Sequence, residues 1–255
     1  MIDRPTLFDH PRPLAIAHRG GALEGDENTH AAFAHARSLG YCFIETDVQA
    51  TRDGVAVIHH DDTLERSCGA PDRIADLGWS ELSRRRTRAG NPIPRLDDTL
   101  AAFPQMRFIL EAKSDAAPGP MAEAIARTNA LPRICVGAFS ARRTEALRAA
   151  LGPGLAWSPA HAGVARVWLA GWGLPIRPPA CTALQVPERF RGIPVATARL
   201  LRAAHAHGLQ VHVWTVNDRA GMTRLLDLGI DGLMTDRPTL LRDVLRSRGQ
   251  WTGAD

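Results

Sequence analysis

Ionisable side chains follow directly after short apolar runs at three places in this sequence. In chain order these residues are His18 and Arg19, then Glu45 and Asp47, then Glu111 and Lys113. If the runs are strands, the alternation of side chains places the two residues of each later pair on one face. Three carboxylates on neighbouring strands would repel one another unless a cation lay between them. Because all-oxygen ligation suits Mg²⁺ or Ca²⁺, Glu45, Asp47 and Glu111 are candidate ligands of one such ion.

A tight turn follows the second of these runs and brings a histidine toward Asp47. The dipeptide Asp53-Gly54 is typical of a two-residue hairpin loop between two alternating strands. If those two residues alone form the loop, Asp47 lies opposite His60. A slip of one residue would present His59 instead, so at this point both histidines are candidates for the site.

Lys113 is the single lysine among the 31 lysine and arginine residues of the chain. So strong a preference for arginine reflects a GC-rich genome, and most of the arginines therefore say little about partners. An ammonium is a compact point charge, whereas a guanidinium is a broad planar fork. A site that needs one short cation close to a phosphate would therefore favour lysine at this position. Chance retention of one codon is the alternative explanation.

Strand-like and helix-like segments alternate along the chain and predict the elements that position these residues. The candidate strands are residues 14–17, 42–48, 107–112, 134–139, 155–158, 182–186, 210–216 and 231–235. The candidate helices, several of them followed by glycine caps, are residues 29–39, 121–129, 141–151, 196–207, 219–228 and 239–246. This alternation favours an α/β fold, a TIM (β/α)₈ barrel. A doubly wound open sheet is the main rival, but no GxGxxG loop follows an early strand.

Residues 61–106 break the alternation, because they contain turn formers, a basic run and only short helical patterns. We expect them to form a small insertion that follows the hairpin and ends in a short helix after Pro94. The chain is then one TIM-barrel domain over residues 1–255. In such a barrel the loops at the carboxyl ends of the strands carry the chemistry, which is where the ionisable residues described above are found.

The composition excludes several classes of protein. Of the 255 residues 45% are hydrophobic and 23% are charged, as in globular domains and unlike disordered chains. No apolar run approaches the ~20 residues of a membrane span, and residues 1–13 do not fit a secretory signal. The four cysteines form no CxxC pair, which favours reduced thiols and a cytoplasmic location. Because no aromatic residues interleave the basic clusters Arg84-Arg85-Arg86 and Arg142-Arg143, we expect a small-molecule partner and no nucleic acid.

An ordered set of motifs resembles the glycerophosphodiester phosphodiesterase family from about residue 14 to residue 245. The motifs are His18-Arg19-Gly20, Glu27-Asn28-Thr29, Glu45-Thr46-Asp47-Val48, Thr51-Arg52-Asp53-Gly54, His60-Asp61, Glu111-Ala112-Lys113, Trp214-Thr215-Val216-Asn217 and Thr235-Asp236-Arg237-Pro238. The sequence departs from the family pattern in two places. Asp26 stands where the family usually has proline, and Arg52 stands where it often has lysine.

The resemblance implies a TIM barrel that uses one divalent cation to hydrolyse glycerophosphodiesters to glycerol 3-phosphate and an alcohol. It implies that His18 and His60 are the acid–base pair, and so selects His60 over His59. The further roles it implies are metal ligation by Glu45, Asp47 and Glu111, phosphate contacts from Arg19 and Lys113, and a pocket-wall position for Trp214.

The resemblance also favours attack by the neighbouring glycerol hydroxyl, which gives a cyclic phosphate that water then opens. We assign His60 as the base and His18 as the acid, although the sequence does not fix that direction. Asp236 and Arg237 are predicted to form an ion pair at the end of a loop, with Asp236 near the top of the barrel.

Two alternatives to this function follow from the same residues. A lysophospholipase D-like activity would use the same site beside an apolar groove near Trp168, Trp172 and Trp214, although a core stripe also explains the first two. A catalytically silent barrel that acts as a scaffold would require the loss of a histidine or a ligand, and no motif position is missing.

Overall fold

The computed structural model of the chain describes residues 6–253. Residues 1–13 were predicted not to form a secretory signal, and the first five of them lie outside the described residues. The last two residues of the predicted domain, 254 and 255, also lie outside them. Within residues 6–253, no helix combines the length and the apolar character that would let it cross a bilayer.

Eight parallel strands form the wall of a nearly closed barrel. From one edge to the other they are β6 (Ala156–Trp157), β5 (Ile134–Gly137), β4 (Arg107–Ala112), β2 (Phe43–Ala50), β1 (Leu14–His18), β11 (Gly232–Thr235), β10 (Gln210–Trp214) and β7 (Ala183–Pro187). The two edges meet where the Thr182 amide donates to the Trp157 carbonyl over 3.0 Å. Each predicted strand corresponds to one of these eight. The TIM-barrel prediction is therefore confirmed over the open-sheet alternative.

Helices surround the strands and cover their outer faces. They are α1 (His30–Ser38), α4 (Leu96–Ala102), α5 (Pro118–Arg127), α6 (Ala141–Leu151), α7 (His161–Ala170), α8 (Ala198–Ala206), α9 (Arg219–Leu228) and α10 (Pro238–Ser247). Local sequence sets their ends: the Thr29 side chain caps α1 by accepting from the Ala32 amide, and Gly229 ends α9 with a left-handed φ of 87°. Of the two tryptophans that a core stripe could explain, Trp168 lies in α7 and Trp172 lies in the turn that follows it.

The interior of the barrel changes from apolar to charged along each of three strands. Leu14 and Ile16 lie deep in it, and the next inward residue along β1 is His18, whereas Phe43 lies below Glu45 on β2. Because successive side chains alternate, the residues that continue each inward row emerge at the carboxyl end. The apolar interior of the barrel thus holds in place the strands that carry the ionisable residues.

Residues 61–106 contain α4 and two shorter helices, α2 (Glu65–Cys68) and α3 (Trp79–Leu82), and a 3₁₀ turn over Ile74–Asp76. Leu64, Ile74, Leu82 and Ile93 of this segment form a small apolar cluster with Val57 of β3 (Ala56–Ile58), which pairs with β2. The short helix expected after Pro94 is α4. A second hairpin, β8 (Arg189–Phe190) with β9 (Ile193–Pro194), follows β7 and was not predicted, because each of its strands has only two residues.

Candidate active site

The three strand ends that carry ionisable residues are neighbours in the barrel. His18 lies opposite Glu45 in the β1–β2 register, and Asp47 lies opposite Glu111 in the β2–β4 register. A cavity of about 480 Å³ opens above them at the carboxyl end of the strands. Seven of the eight predicted site residues line it: His18, Arg19, Glu45, His60, Glu111, Lys113 and Trp214. The eighth, Asp47, is buried behind them.

The carboxylates of Glu45, Asp47 and Glu111 converge at the floor of this cavity. Each has an oxygen within 4.8 Å of an oxygen of the other two, which is the spacing of a shared metal ion. Glu45 Oε2 is buried and has no hydrogen-bond partner. Burial and the neighbouring Asp47 charge together raise the pKa of Glu45, and burial likewise raises the pKa of Glu111. The repulsion expected from the sequence is therefore present.

Arg19 and Lys113 place positive charge against the most buried of these acids. Arg19 Nε lies 3.0 Å from Asp47 Oδ2, and Lys113 Nζ lies 3.5 Å from Asp47 Oδ1. The same ammonium lies 3.3 Å from Glu111 Oε1. Burial alone would raise the pKa of Asp47, but these two cations lower it. Asp47 is thus held in its charged form even though it is about 1% exposed.

His18 is held between two carboxylates. Its Nδ1 lies 2.6 Å from Asp236 Oδ1, and its Nε2 lies 3.6 Å from Glu45 Oε2. Burial lowers the pKa of His18, but the Glu45 charge and the Asp236 hydrogen bond raise it by more. The result is a histidine with a raised pKa whose Nε2 is directed toward the carboxylate cluster.

Of the two hairpin registers that the sequence left open, the structure has the one shifted by one residue, and the two-residue loop is wrong. Val48 pairs with Ile58 and Ala50 with Ala56, so the His59 amide, not that of His60, donates to the Asp47 carbonyl. The loop has three residues instead of two, because Gly54 adopts a left-handed φ of 77° and adds one position to the turn. Turn composition alone could not distinguish the two loops.

Despite that register, His60 is the histidine that faces the cavity. Its Nδ1 lies 2.6 Å from Asp61 Oδ1, and Asp61 is held in turn by Arg66 Nε at 2.6 Å. His59 points away from the cavity and contacts Ser67 Oγ through Nε2 at 2.7 Å. Because β3 ends at Ile58, the two histidines do not follow strand alternation. This outcome agrees with the choice implied by the family resemblance.

Apolar side chains form the other half of the cavity. Trp214 packs edge-on against Phe139, with ring centroids 5.9 Å apart, and Trp168 lines the wall opposite the carboxylates. Phe190 and Ile193 of the unpredicted hairpin complete this wall. The cavity therefore joins a charged floor to an apolar side.

Two polar residues that support the site carried little signal of their own in the sequence. Asn28 donates to Asp47 Oδ2 over 2.9 Å and accepts from the Thr46 hydroxyl over 2.7 Å. Asn217 donates to Asp236 Oδ2 over 2.8 Å. Asp236 contacts His18 and Asn217 instead of the predicted partner Arg237. Both asparagines lie within the quoted family motifs, which were the only signal that could have identified them.

The arrangement can bind a divalent cation and transfer protons on both sides of it. The donor set is all oxygen, and the buried Glu45 Oε2 lacks a partner that a cation would supply. Two imidazoles flank the cluster, and each has one nitrogen fixed by a carboxylate. Such a pair suits general acid–base catalysis at a charged substrate.

Comparison with known proteins identifies what this barrel is similar to. The family described as "Glycerophosphoryl diester phosphodiesterase family" matches residues 18–155 and 160–240. "Probable glycerophosphodiester phosphodiesterase 2" from Mycobacterium tuberculosis is 41% identical over 259 residues, covering 98% of each chain. "Lysophospholipase D GDPD1" from Homo sapiens is 28% identical, covering 97% of this chain and 92% of its own. The crystal structure of a glycerophosphodiester phosphodiesterase from Parabacteroides distasonis has a TM-score of 0.77 at 23% identity, covering 94% of this chain and all of that one (100%).

Proposed function

Because the chain belongs to the glycerophosphoryl diester phosphodiesterase family, we propose that this cavity is where it hydrolyses glycerophosphodiesters. The reaction releases glycerol 3-phosphate and an alcohol. The observation that carries the proposal is a cluster of three carboxylates flanked by two histidines, each with a carboxylate at Nδ1. This arrangement contains both the charge and the proton-transfer groups that the hydrolysis needs.

Glu45, Asp47 and Glu111 would hold one divalent cation, Mg²⁺ or Ca²⁺. The family depends on a divalent metal, and these three acids are the one group with metal-site spacing found in residues 6–253. When bound, the cation offsets the charge of the phosphodiester and lowers the pKa of the hydroxyl that it contacts. The residues support this role because Asp47 stays charged and Glu45 Oε2 needs a partner.

His60 and His18 divide the proton transfers between them. His60 takes the proton of the attacking glycerol hydroxyl, and His18 gives one to the departing alkoxide. The raised pKa of His18 favours its protonated form, which suits the acid. Attack forms one phosphorus–oxygen bond as the bond to the alcohol breaks, and the resulting cyclic phosphate is opened by water to glycerol 3-phosphate. In both histidines Nε2 is the nitrogen left free for this exchange.

Arg19 and Lys113 supply fixed positive charge beside the phosphate. Both line the cavity, and both are anchored by the buried Asp47, so their positions are set before substrate arrives. A preorganised cation of this kind stabilises the negative charge that develops on the transferred phosphate by about 3 kcal/mol.

The direct test is release of glycerol 3-phosphate from glycerophosphocholine with added Mg²⁺ or Ca²⁺, with and without EDTA. We expect release with a cation and its loss with EDTA. Release that is unaffected by EDTA would contradict the metal assignment. Absence of release from any of several head groups would favour the silent scaffold instead.

A second candidate activity is favoured by the apolar side of the cavity. Trp168, Phe190 and Ile193 lie beside the site, where an acyl chain on the glycerol or a hydrophobic alcohol would be buried. One relative, at 28% identity, carries the name lysophospholipase D. Cleavage of a lysophospholipid would use the same floor, with the acyl chain along this wall.

The two activities are separated by substrates that share one head group. Lysophosphatidylcholine and glycerophosphocholine differ only in the acyl chain, so a ratio of their kcat/KM values isolates the apolar wall. Val164→Asn puts a polar amide on that wall away from the carboxylates. If lysophospholipids are substrates, this variant lowers kcat/KM for them alone; an equal change for both would show that the wall does not contact the acyl chain.

A further inference from the structure

Large apolar side chains are exposed at the mouth of the cavity. Trp172 is 55% exposed, Phe190 is 43% exposed and Ile193 is 56% exposed. The latter two belong to the β8–β9 hairpin and also line the cavity, so this exposed patch is continuous with the interior of the site. Contiguous exposed apolar surface of this kind marks an interaction site.

Arginines are interleaved with these apolar side chains on one connected surface. We name this surface the basic apolar rim; it consists of Trp172, Arg189, Phe190, Arg191, Ile193 and Arg199. The Arg191 guanidinium lies 5.5 Å from the Phe190 ring, and that of Arg199 lies 3.9 Å from the Trp172 ring. Trp168 joins the two parts, because its indole donates to the Pro194 carbonyl over 3.3 Å and its ring lies 5.6 Å from that of Trp172.

The charge of this part of the chain has one sign. Between Glu145 and Asp218 the sequence has seven arginines and one acidic residue, whereas the net charge of the whole chain is only +4. The single acid, Glu188, already forms an ion pair with Arg224 at 2.9 Å. The rim therefore presents uncompensated positive charge together with apolar surface.

We propose that the basic apolar rim binds the surface of an anionic phospholipid bilayer. Aromatic and aliphatic side chains of this size insert at the headgroup boundary, and arginines contact anionic lipid phosphates. A second copy of the chain fits this surface poorly, because a two-fold dimer would set one rim's arginines against those of the other. Docked in this way, the cavity opens onto the bilayer, and an amphiphilic substrate enters it along the apolar wall.

This inference goes beyond the proposed function and is tested without turnover. The intact protein, in EDTA and without substrate, is sedimented with vesicles of phosphatidylcholine alone or phosphatidylcholine mixed with phosphatidylglycerol. We expect binding to the anionic vesicles only, and its loss in high salt. The pair Arg189→Glu and Arg191→Glu should weaken binding at least about 25-fold, since each basic residue near such a surface is worth roughly fivefold. Trp172→Ala should weaken it by roughly three- to tenfold.

A matched control separates this surface from net charge. Arg84→Glu with Arg86→Glu makes the same charge change, at the same spacing, on an exposed segment of residues 61–106. We expect that pair to keep nearly full binding, and thermal unfolding to show that all the variants are folded. Equal loss in both pairs, equal binding to neutral vesicles, or no binding at all would overturn the proposal. Binding of single-stranded RNA as tight as that of the vesicles, or a dimer that Trp172→Ala dissociates, would also overturn it.

Discussion

Asp236 Oδ1 lies 2.6 Å from His18 Nδ1, and the other oxygen of this carboxylate accepts from Asn217 Nδ2 over 2.8 Å. The side-chain oxygen of Asn217, Oδ1, in turn accepts from the Asp236 backbone amide, also over 2.8 Å. The carboxylate is thus fixed from two sides before it meets the imidazole. We therefore expect Asp236 to act as a positioning residue that orients the His18 ring and, together with the Glu45 charge, raises the pKa of that ring against the effect of burial.

Asp236→Asn should therefore slow turnover and change its pH dependence. An amide cannot accept from both His18 and Asn217 through two oxygens, so one hydrogen bond is lost and the ring is no longer fixed. We expect kcat to fall by roughly 10²-fold, within the range for a general acid. Because the pKa of His18 falls, the limb of the profile where activity declines with rising pH should shift to lower pH. The measurement is kcat against pH with glycerophosphocholine.

Asp218→Asn is the matched control for that variant. It lies in the loop between β10 and α9, next to Asn217, and its carboxylate caps α9 by accepting from the Gly221 amide over 2.8 Å, without touching a histidine. We expect its pH profile to match that of the unaltered protein. An unchanged profile in Asp236→Asn would mean that the carboxylate has only a structural role.

His18→Ala and His60→Ala should each reduce kcat at least about 10²-fold while leaving the protein folded. If the two act as one unit, the double variant is no slower than the slower single variant. Turnover of glycerophosphocholine and thermal unfolding together measure this. His59→Ala is the control, since His59 is adjacent in sequence but contacts Ser67 outside the cavity. Near-normal turnover in either the His18 or the His60 variant would remove the proposed mechanism.

The barrel and the positions of the charged residues could be predicted because both depend on local pattern. Strand β4 runs over Arg107–Ala112, as its apolar run indicated, and helix α6 runs over Ala141–Leu151 as predicted. Each inward row of a parallel strand then places its last residues at the same end. Glu45 and Glu111 could therefore be brought together without any knowledge of long-range contacts.

Features that depend on a single backbone angle or on distant partners could not be predicted. The left-handed conformation of Gly54 adds one residue to the turn and so shifts the pairing of the hairpin by one position. His59 therefore lies opposite Asp47, although His60 is the histidine that faces the cavity. The contact between His18 and Asp236 joins the first and last strands of the barrel, and no local pattern encodes it. The β8–β9 hairpin has strands of two residues, too short for alternation to be recognised.

Asn28→Gly should weaken the affinity of the protein for the divalent cation without unfolding it. Asn28 has a left-handed φ of 59°, which glycine adopts freely, so the substitution removes the amide that orients Asp47 with little backbone cost. Loss of a partner that orients a ligand typically costs 10–100-fold in metal affinity, and we expect a shift of about that size. Cation titrations of the initial rate measure it.

Excess cation provides the internal control for this variant. If Asn28 only orients the ligand, saturating Mg²⁺ or Ca²⁺ restores most of the rate in Asn28→Gly. A rate that stays low at every cation concentration would assign Asn28 to a different step. An unchanged titration would show that Asp47 keeps its position without the amide.

His212, which lies away from the active-site carboxylates, should make the free energy of unfolding sensitive to acid. This side chain is fully buried in β10, and burial lowers its pKa to about 4. The unfolded chain, with a histidine pKa near ~6.5, binds more protons than the folded chain between those two values. The free energy of unfolding therefore falls as the pH drops from about 6.5 toward 4, by up to about 3 kcal/mol.

His212→Gln keeps a donor for Gln210, whose Oε1 lies 3.1 Å from His212 Nε2, but cannot be protonated. The variant should be less stable at neutral pH, because glutamine fits poorly beside Phe8, whose ring lies 4.8 Å from the imidazole. Its free energy of unfolding should nevertheless fall less steeply with acid, as measured by urea unfolding at several pH values. His35→Gln, on the exposed side of α1, should keep the slope of the unaltered protein. If all three proteins lose stability in parallel below pH ~6.5, the buried imidazole does not cause the acid sensitivity.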